Sequence, residues 1–160
     1  MSMVNNSKAL RKDLVRRVIA ILVPLLVGIL GQLVTGNAVS TWYLSIAKPA
    51  WTPPSWLFGP VWTLLYVLMG VSFYLVWKIG FEHTVPFFVQ LTLNAVWSPL
   101  FFGFKSPRLA LVDIVLLDIV VVWTIYRFAQ QDRKAAVLLV PYLCWILFAT
   151  ALNGAIVLLN

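Results

Sequence analysis

Residues 42–66 read WYLSIAKPAWTPPSWLFGPVWTLLY. The stretch holds Trp42, Trp51, Trp56 and Trp62, half of the chain's eight tryptophans, together with Pro49, Pro53, Pro54 and Pro60 from its nine prolines. A proline fixes its own φ and biases the residue before it towards extended backbone. The first half of the stretch therefore reads as a stiff connection. The second half opens an apolar run that continues to about residue 77. What kind of chain places so much aromatic surface on a rigid link is the question the rest of the sequence must answer.

Five apolar runs can be marked, at about 15–35, 57–77, 85–104, 109–128 and 135–159. Each has the roughly 20 residues a helix needs to cross about 30 Å of hydrocarbon. Backbone polar groups in lipid must bond within their own segment, which predicts a helix for each run. A β-barrel would show strands of roughly ten residues with alternating polarity, and no such alternation is present. Composition agrees. The chain of 160 residues is 62% hydrophobic and 11% charged, with mean hydropathy +0.94. A soluble domain cannot cover that much apolar surface. The expected fold class is an all-α membrane protein, one bundle of five transmembrane helices forming a single domain over 1–160.

The formal charge of +7 does not point to nucleic acid, because the basic residues sit at the ends of the apolar runs. Lys8, Arg11, Lys12, Arg16, Arg17, Lys78, Arg127, Arg133 and Lys134 fall on one side of the expected membrane. Lys48, Lys105 and Arg108 fall on the other. Basic residues favour the cytoplasmic side, so the N-terminus is expected in the cytoplasm if the membrane is a plasma membrane, with the Trp-rich link outside. One cysteine, Cys144, and one histidine, His83, make no metal-ligand cluster and no intrachain disulfide. No hydrolase triad, phosphate loop or zinc motif occurs. No metal or resident cofactor is expected.

Three groups of residues stand out within the runs. In LNAVWSPLFFG, Asn94, Trp97 and Ser98 lie at i, i+3 and i+4 and share a helix face. A buried amide needs partners. It serves either as an interhelical tie or as a polar contact to a ligand. In PYLCWILFATALNG, Trp145, Ala149 and Leu152 lie at i, i+4 and i+7. A small residue beside a large ring leaves room for a flat ligand, or equally for close helix packing. Asp113 and Asp118 are about 140° apart on one helix and form no carboxylate pair. Each should face protein or water rather than lipid. Finally, Pro49 and Pro53 flank Trp51 and constrain its backbone most, which suits it to roof the mouth of a bundle.

Taken in order, WYLSIAKPAWTPP, FGPVWTLLYVLMGVSFYLVWK, QLTLNAVWSPLFFG, ALVD and PYLCWILFATALN strongly resemble the translocator protein family (TspO/MBR). Its members are also called tryptophan-rich sensory proteins or peripheral-type benzodiazepine receptors. The resemblance runs from about Trp42 to Asn153. It implies a five-helix bundle, usually a homodimer, with a pocket beneath the first long loop. It implies binding of porphyrins such as protoporphyrin IX, and of isoquinoline carboxamide and benzodiazepine drugs. Position by position, it carries ligand contacts onto Trp51, Asn94, Trp97, Ser98, Trp145, Ala149 and Leu152. The expected function is tetrapyrrole binding in porphyrin sensing, transport or disposal. The alternatives are a light- and oxygen-dependent porphyrin-degrading enzyme, in which Trp51 and Trp145 would be catalytic, and a sterol or lipid carrier. Stacking would hold the macrocycle, Trp51 facing Trp145 across it, with Lys48 a candidate donor to the propionates. The animal cholesterol motif at the C-terminus, which ends in Tyr and then Lys or Arg, is missing from ALNGAIVLLN.

Overall fold

The computed structural model describes residues 2–39 and 41–160. Its elements are α1 (Ser2–Val39), a single turn α2 (Trp42–Ser45), α3 (Ser55–Trp77), α4 (Val85–Ser98), α5 (Pro107–Ala129) and α6 (Arg133–Leu159). Five segments are long and apolar enough to cross a membrane: Leu10–Leu33, Ser55–Trp77, Phe81–Gly103, Pro107–Ala129 and Arg133–Leu159. They agree with the five expected runs to within a few residues at most ends.

Two departures have physical causes. First, α1 begins at Ser2, well before the apolar run, and at 38 residues is roughly 57 Å long. Its N-terminal turns project beyond a bilayer core and carry Lys8, Arg11 and Lys12. Second, the third span is three helical pieces. A 3-10 turn (Phe81–Thr84) leads into α4, and a π turn (Pro99–Gly103) follows it. Pro99 has no N–H to give the preceding turn, so the ladder slips and the Phe104 N–H reaches the Pro99 carbonyl at 2.8 Å.

Around the bundle, α1 packs on α3 and α4, α3 on α6, α6 on α5, and α5 back on α4. The ring closes about Leu65, Met69, Phe73 and Val76 of α3, which share one face and are all buried. Phe73 is stacked on Phe87 of α4 at 4.6 Å and on Trp77 at 5.3 Å. Gly70 lets α3 lie against the α1 backbone: a Cβ there would sit 2.8 Å from the Ala20 carbonyl oxygen. Lower down, the Tyr74 hydroxyl donates to Asp13 at 2.6 Å, and Arg17 pairs with the same carboxylate. The outward faces are apolar, with Leu33, Leu116, Ile119 and Val122 exposed. In a bilayer those faces meet hydrocarbon.

The connections are short and capped. Asp132 accepts from the Lys134 and Ala135 N–H groups and starts α6. Ser106 accepts from the Leu109 N–H and starts α5. The Tyr74 bond to Asp13 and the Ser72 bond to the Ala135 carbonyl put the 78–84 and 130–132 connections at the end of the bundle where α1 begins. The link 41–54 and the turn 104–106 lie at the opposite end.

Candidate ligand site under the aromatic link

The link between α1 and α3 is held by its own hydrogen bonds. The Lys48 ammonium donates to the Tyr43 carbonyl at 2.6 Å and to the Ile46 carbonyl at 2.9 Å, and lies 4.8 Å from the Tyr43 ring centre. Burial pushes the Tyr43 phenol above its ordinary pKa. The Thr52 hydroxyl and N–H both bond the Pro49 carbonyl. The Asn160 side chain bonds the N–H and carbonyl of Ala47, tying the link to the end of α6. Lys48, the expected propionate donor, is therefore engaged in closing the link.

Beneath the link runs a row of four rings. Trp51 meets Phe148 edge-on at 5.7 Å, Phe148 meets Trp145 at 5.6 Å, and Trp145 meets Phe58 at 5.9 Å. The expected facing of Trp51 and Trp145 is thus mediated by Phe148, which stands between them. Trp51 remains 49% exposed, so one wall of the row is open. Trp145 carries an indole N–H that is buried and has no acceptor among the described residues. Ala149, one turn further along α6, packs beside the same core.

Asn94 lies at the crossing of three helices. Its carbonyl accepts from the Tyr66 hydroxyl at 2.7 Å, and its amide donates to the Tyr142 oxygen at 3.1 Å. Trp62 stacks on Tyr66 at 5.3 Å and meets Tyr142 edge-on at 6.3 Å. The amide so joins α3, α4 and α6.

Trp97 and Leu152 pack in a second cluster, which Phe58 and Phe148 of the row also join. Leu152 is buried with Phe101, Ala110 and Ile156, against Trp42 and Tyr43 of the link. Trp97 stacks on Phe101 at 5.0 Å, and its N–H donates to Asn153 at 3.2 Å. Ser98 faces α1, where a Cβ on Gly31 would lie 3.5 Å from its hydroxyl oxygen. Of the seven expected residues, Trp51 and Trp145 belong to the ring row, and Ala149 and Trp97 pack with Trp145 on the main core. Asn94 holds that core. Leu152 and Trp97 join the cluster against which Phe58 and Phe148 of the row also pack, and Ser98 faces α1.

The sequence reading passed over Phe58, Phe148, Tyr66, Tyr142 and Asn153. Two signals were available. Phe148 is at i+3 from Trp145 and shares its face. Asn153 is an amide inside an apolar run, under the same need for partners as Asn94; it also donates to the Pro107 carbonyl at 2.8 Å.

A bundle of five helices long and apolar enough to cross a membrane, capped at one end by a braced aromatic link, is a multi-pass membrane protein. More particularly, the chain belongs to the TspO/MBR family, whose model matches residues 20–159. It is 49% identical to the tryptophan-rich protein TspO of Archaeoglobus fulgidus over 152 residues, covering 92% of this chain and 99% of that one. It is 44% identical to the human translocator protein over 119 residues, 70% of each chain. It is 40% identical to the tryptophan-rich sensory protein of Cereibacter sphaeroides over 121 residues, 74% of this chain and 78% of that one.

Proposed function

We propose that this chain binds a tetrapyrrole of the protoporphyrin IX type beneath the aromatic link, and acts in porphyrin sensing, transport or disposal. The observation that carries the reading is the Trp145 indole: a buried N–H without an acceptor among the described residues, inside a row of four rings whose Trp51 is 49% exposed. A flat macrocycle offers that row a stacking surface and offers the N–H a nitrogen or carboxyl oxygen. Ala149 leaves room beside the ring. Flat drug ligands such as isoquinoline carboxamides suit the same recess.

The reading includes an orientation and an assembly. The basic excess puts the start of α1 in the cytoplasm of a plasma membrane and the link outside. The assembly is a homodimer. No resident cofactor is needed.

A second reading has one observation in its favour. Trp51 and Trp145 both touch Phe148, so two oxidisable indoles would flank a ligand seated in the row. Light-driven degradation of the porphyrin, with dioxygen as the oxidant, would use them. Absorbance spectra of the purified chain with protoporphyrin IX, in darkness and under light, decide among the readings. A stable shifted spectrum in both supports binding. New product bands in light alone support degradation. An unchanged spectrum defeats both and leaves a sterol or lipid carrier.

A further inference from the structure

Two carboxyl groups lie inside the α5 span, and the binding reading uses neither. Asp113 is 6% exposed and Asp118 is half-buried. Neither forms a salt bridge among the described residues. One oxygen of each, Oδ2 of Asp113 and Oδ1 of Asp118, is buried without a hydrogen-bond partner. An ionised carboxylate left so in a membrane interior is very costly.

The surroundings of Asp118 say more. The Thr150 hydroxyl oxygen is 2.8 Å from Asp118 Oδ2 and 2.9 Å from the Ile146 carbonyl oxygen. A hydroxyl has one proton to give. The hydroxyl stands as donor to both oxygens, and its one proton serves one of them at a time. An ionised Asp118 draws that proton away from the Ile146 carbonyl, whereas a neutral Asp118, donating to Thr150, leaves the hydroxyl free to donate to Ile146.

We infer that Asp118 and Thr150 form a proton-binding site within the membrane, coupled to the turn of α6 that carries Trp145 and Ala149. The coupling rests on the binding reading above, whereas the proton site does not. The proton leaves to water, and the carboxylate then takes the Thr150 hydroxyl as its donor. The Ile146 carbonyl, next to Trp145, loses its side-chain partner. A fixed negative charge also appears behind the recess, which disfavours an anionic tetrapyrrole. Few other groups can produce the same response. The segment 85–103, which covers α4 and its π turn, has no titratable side chain. On α6, Tyr142 is held by Asn94, Cys144 is exposed, and Arg133 and Lys134 lie at the far hairpin. On α5 itself the remaining groups are Asp113 near the outer end, Arg108 at its start, and Tyr126 and Arg127 near its close.

Infrared spectra of the full chain in detergent, recorded from about pH 5 to about pH 10, test the site against the usual carboxyl pKa near 4. The expected result is a protonated-carboxyl band that persists at neutral pH. Asp118→Asn removes part of that band, and Thr150→Val shifts its frequency. Asp113→Asn supplies the contribution of the other acid. A band absent at neutral pH, or unchanged in Asp118→Asn, overturns the site. For the coupling, protoporphyrin IX dissociation constants are compared at each pH between the parent and Asp118→Asn, which cancels titration of the free porphyrin. The parent is expected to lose roughly tenfold more affinity than the variant on the alkaline side, the linkage for a one-unit shift of one proton. Parallel profiles overturn the coupling. If no porphyrin binds at any pH, the binding reading and the coupling both fail, and the infrared band alone decides the proton site.

Discussion

Trp97 on α4 and Trp145 on α6 are both indoles wedged among phenylalanines beneath the same link, and one hydrogen bond separates them. The Trp97 N–H donates to Asn153, and Asn153 in turn holds the Pro107 carbonyl at the start of α5. The Trp145 N–H is buried with no acceptor among the described residues. Buried polar groups are paired almost everywhere in native proteins. The first indole is therefore part of the frame, tying α4 and α5 to α6. The second keeps a donor in reserve, in the one ring row that opens at Trp51. Aromatic content alone does not distinguish a frame from a recess, whereas hydrogen-bond accounting does.

The comparison breaks most visibly at Asn153. Asn153→Leu keeps the volume but orphans the Trp97 N–H and removes a second bond from the Pro107 carbonyl, which keeps its place in the α5 backbone ladder. One unpaired buried group costs about 1–3 kcal/mol, so thermal unfolding in detergent should show a loss of roughly that size. Trp145→Phe removes an N–H that has no partner to lose, and should move stability by less than about 1 kcal/mol. Equal losses in the two variants would erase the distinction between frame and recess.

That distinction also marks where the sequence was readable. The five spans were legible because roughly 20 apolar residues in a row have only one answer in lipid. Trp51, Trp145 and Ala149 could be singled out because proline spacing and helical periodicity act locally. Trp97 was singled out for the same local reason: it shares a face with Asn94, and the face says nothing of which partner waits across it. The acceptor of its N–H, Asn153, is 56 residues away. Phe148 shares a helix face with Trp145 already in the sequence, but its place between Trp145 and Trp51 arises only when the link folds down onto α6. The spending of Lys48 on the Tyr43 and Ile46 carbonyls is likewise a property of the folded link, not of its charge.

A smaller effect sharpens the recess side. Ala149→Leu places a branched side chain beside Trp145 and should weaken protoporphyrin IX binding by about 1–3 kcal/mol, the usual scale of overpacking. The helical signal and melting temperature should stay near those of the parent, since the added bulk enters ligand space. A matched change on the frame side, Ala110→Leu, enters a core where Ala110 is fully buried and should cost stability instead. An unchanged porphyrin dissociation constant in a folded Ala149→Leu chain removes Ala149 from the site.

The smallest effect on binding is the most informative about chemistry. Phenylalanine keeps the aromatic area of tryptophan but lacks the N–H and is harder to oxidise. Trp51→Phe and Trp145→Phe should hold protoporphyrin IX within about tenfold of the parent affinity, the loss of at most one hydrogen bond of roughly 1 kcal/mol. If the ligand is consumed in light, the same two variants should slow the bleaching, because their rings flank it on either side of Phe148. Trp56 is 72% exposed and has no ring contact with the row among the described residues, and Trp42 packs on Phe101 in the frame. Trp42→Phe and Trp56→Phe should therefore change neither quantity. Dark titrations and bleaching rates of the four variants, measured side by side, decide the matter. If all four bleach porphyrin at the parent rate, the photochemistry belongs to the free pigment, and the unpaired Trp145 N–H serves to hold the ligand rather than to transform it.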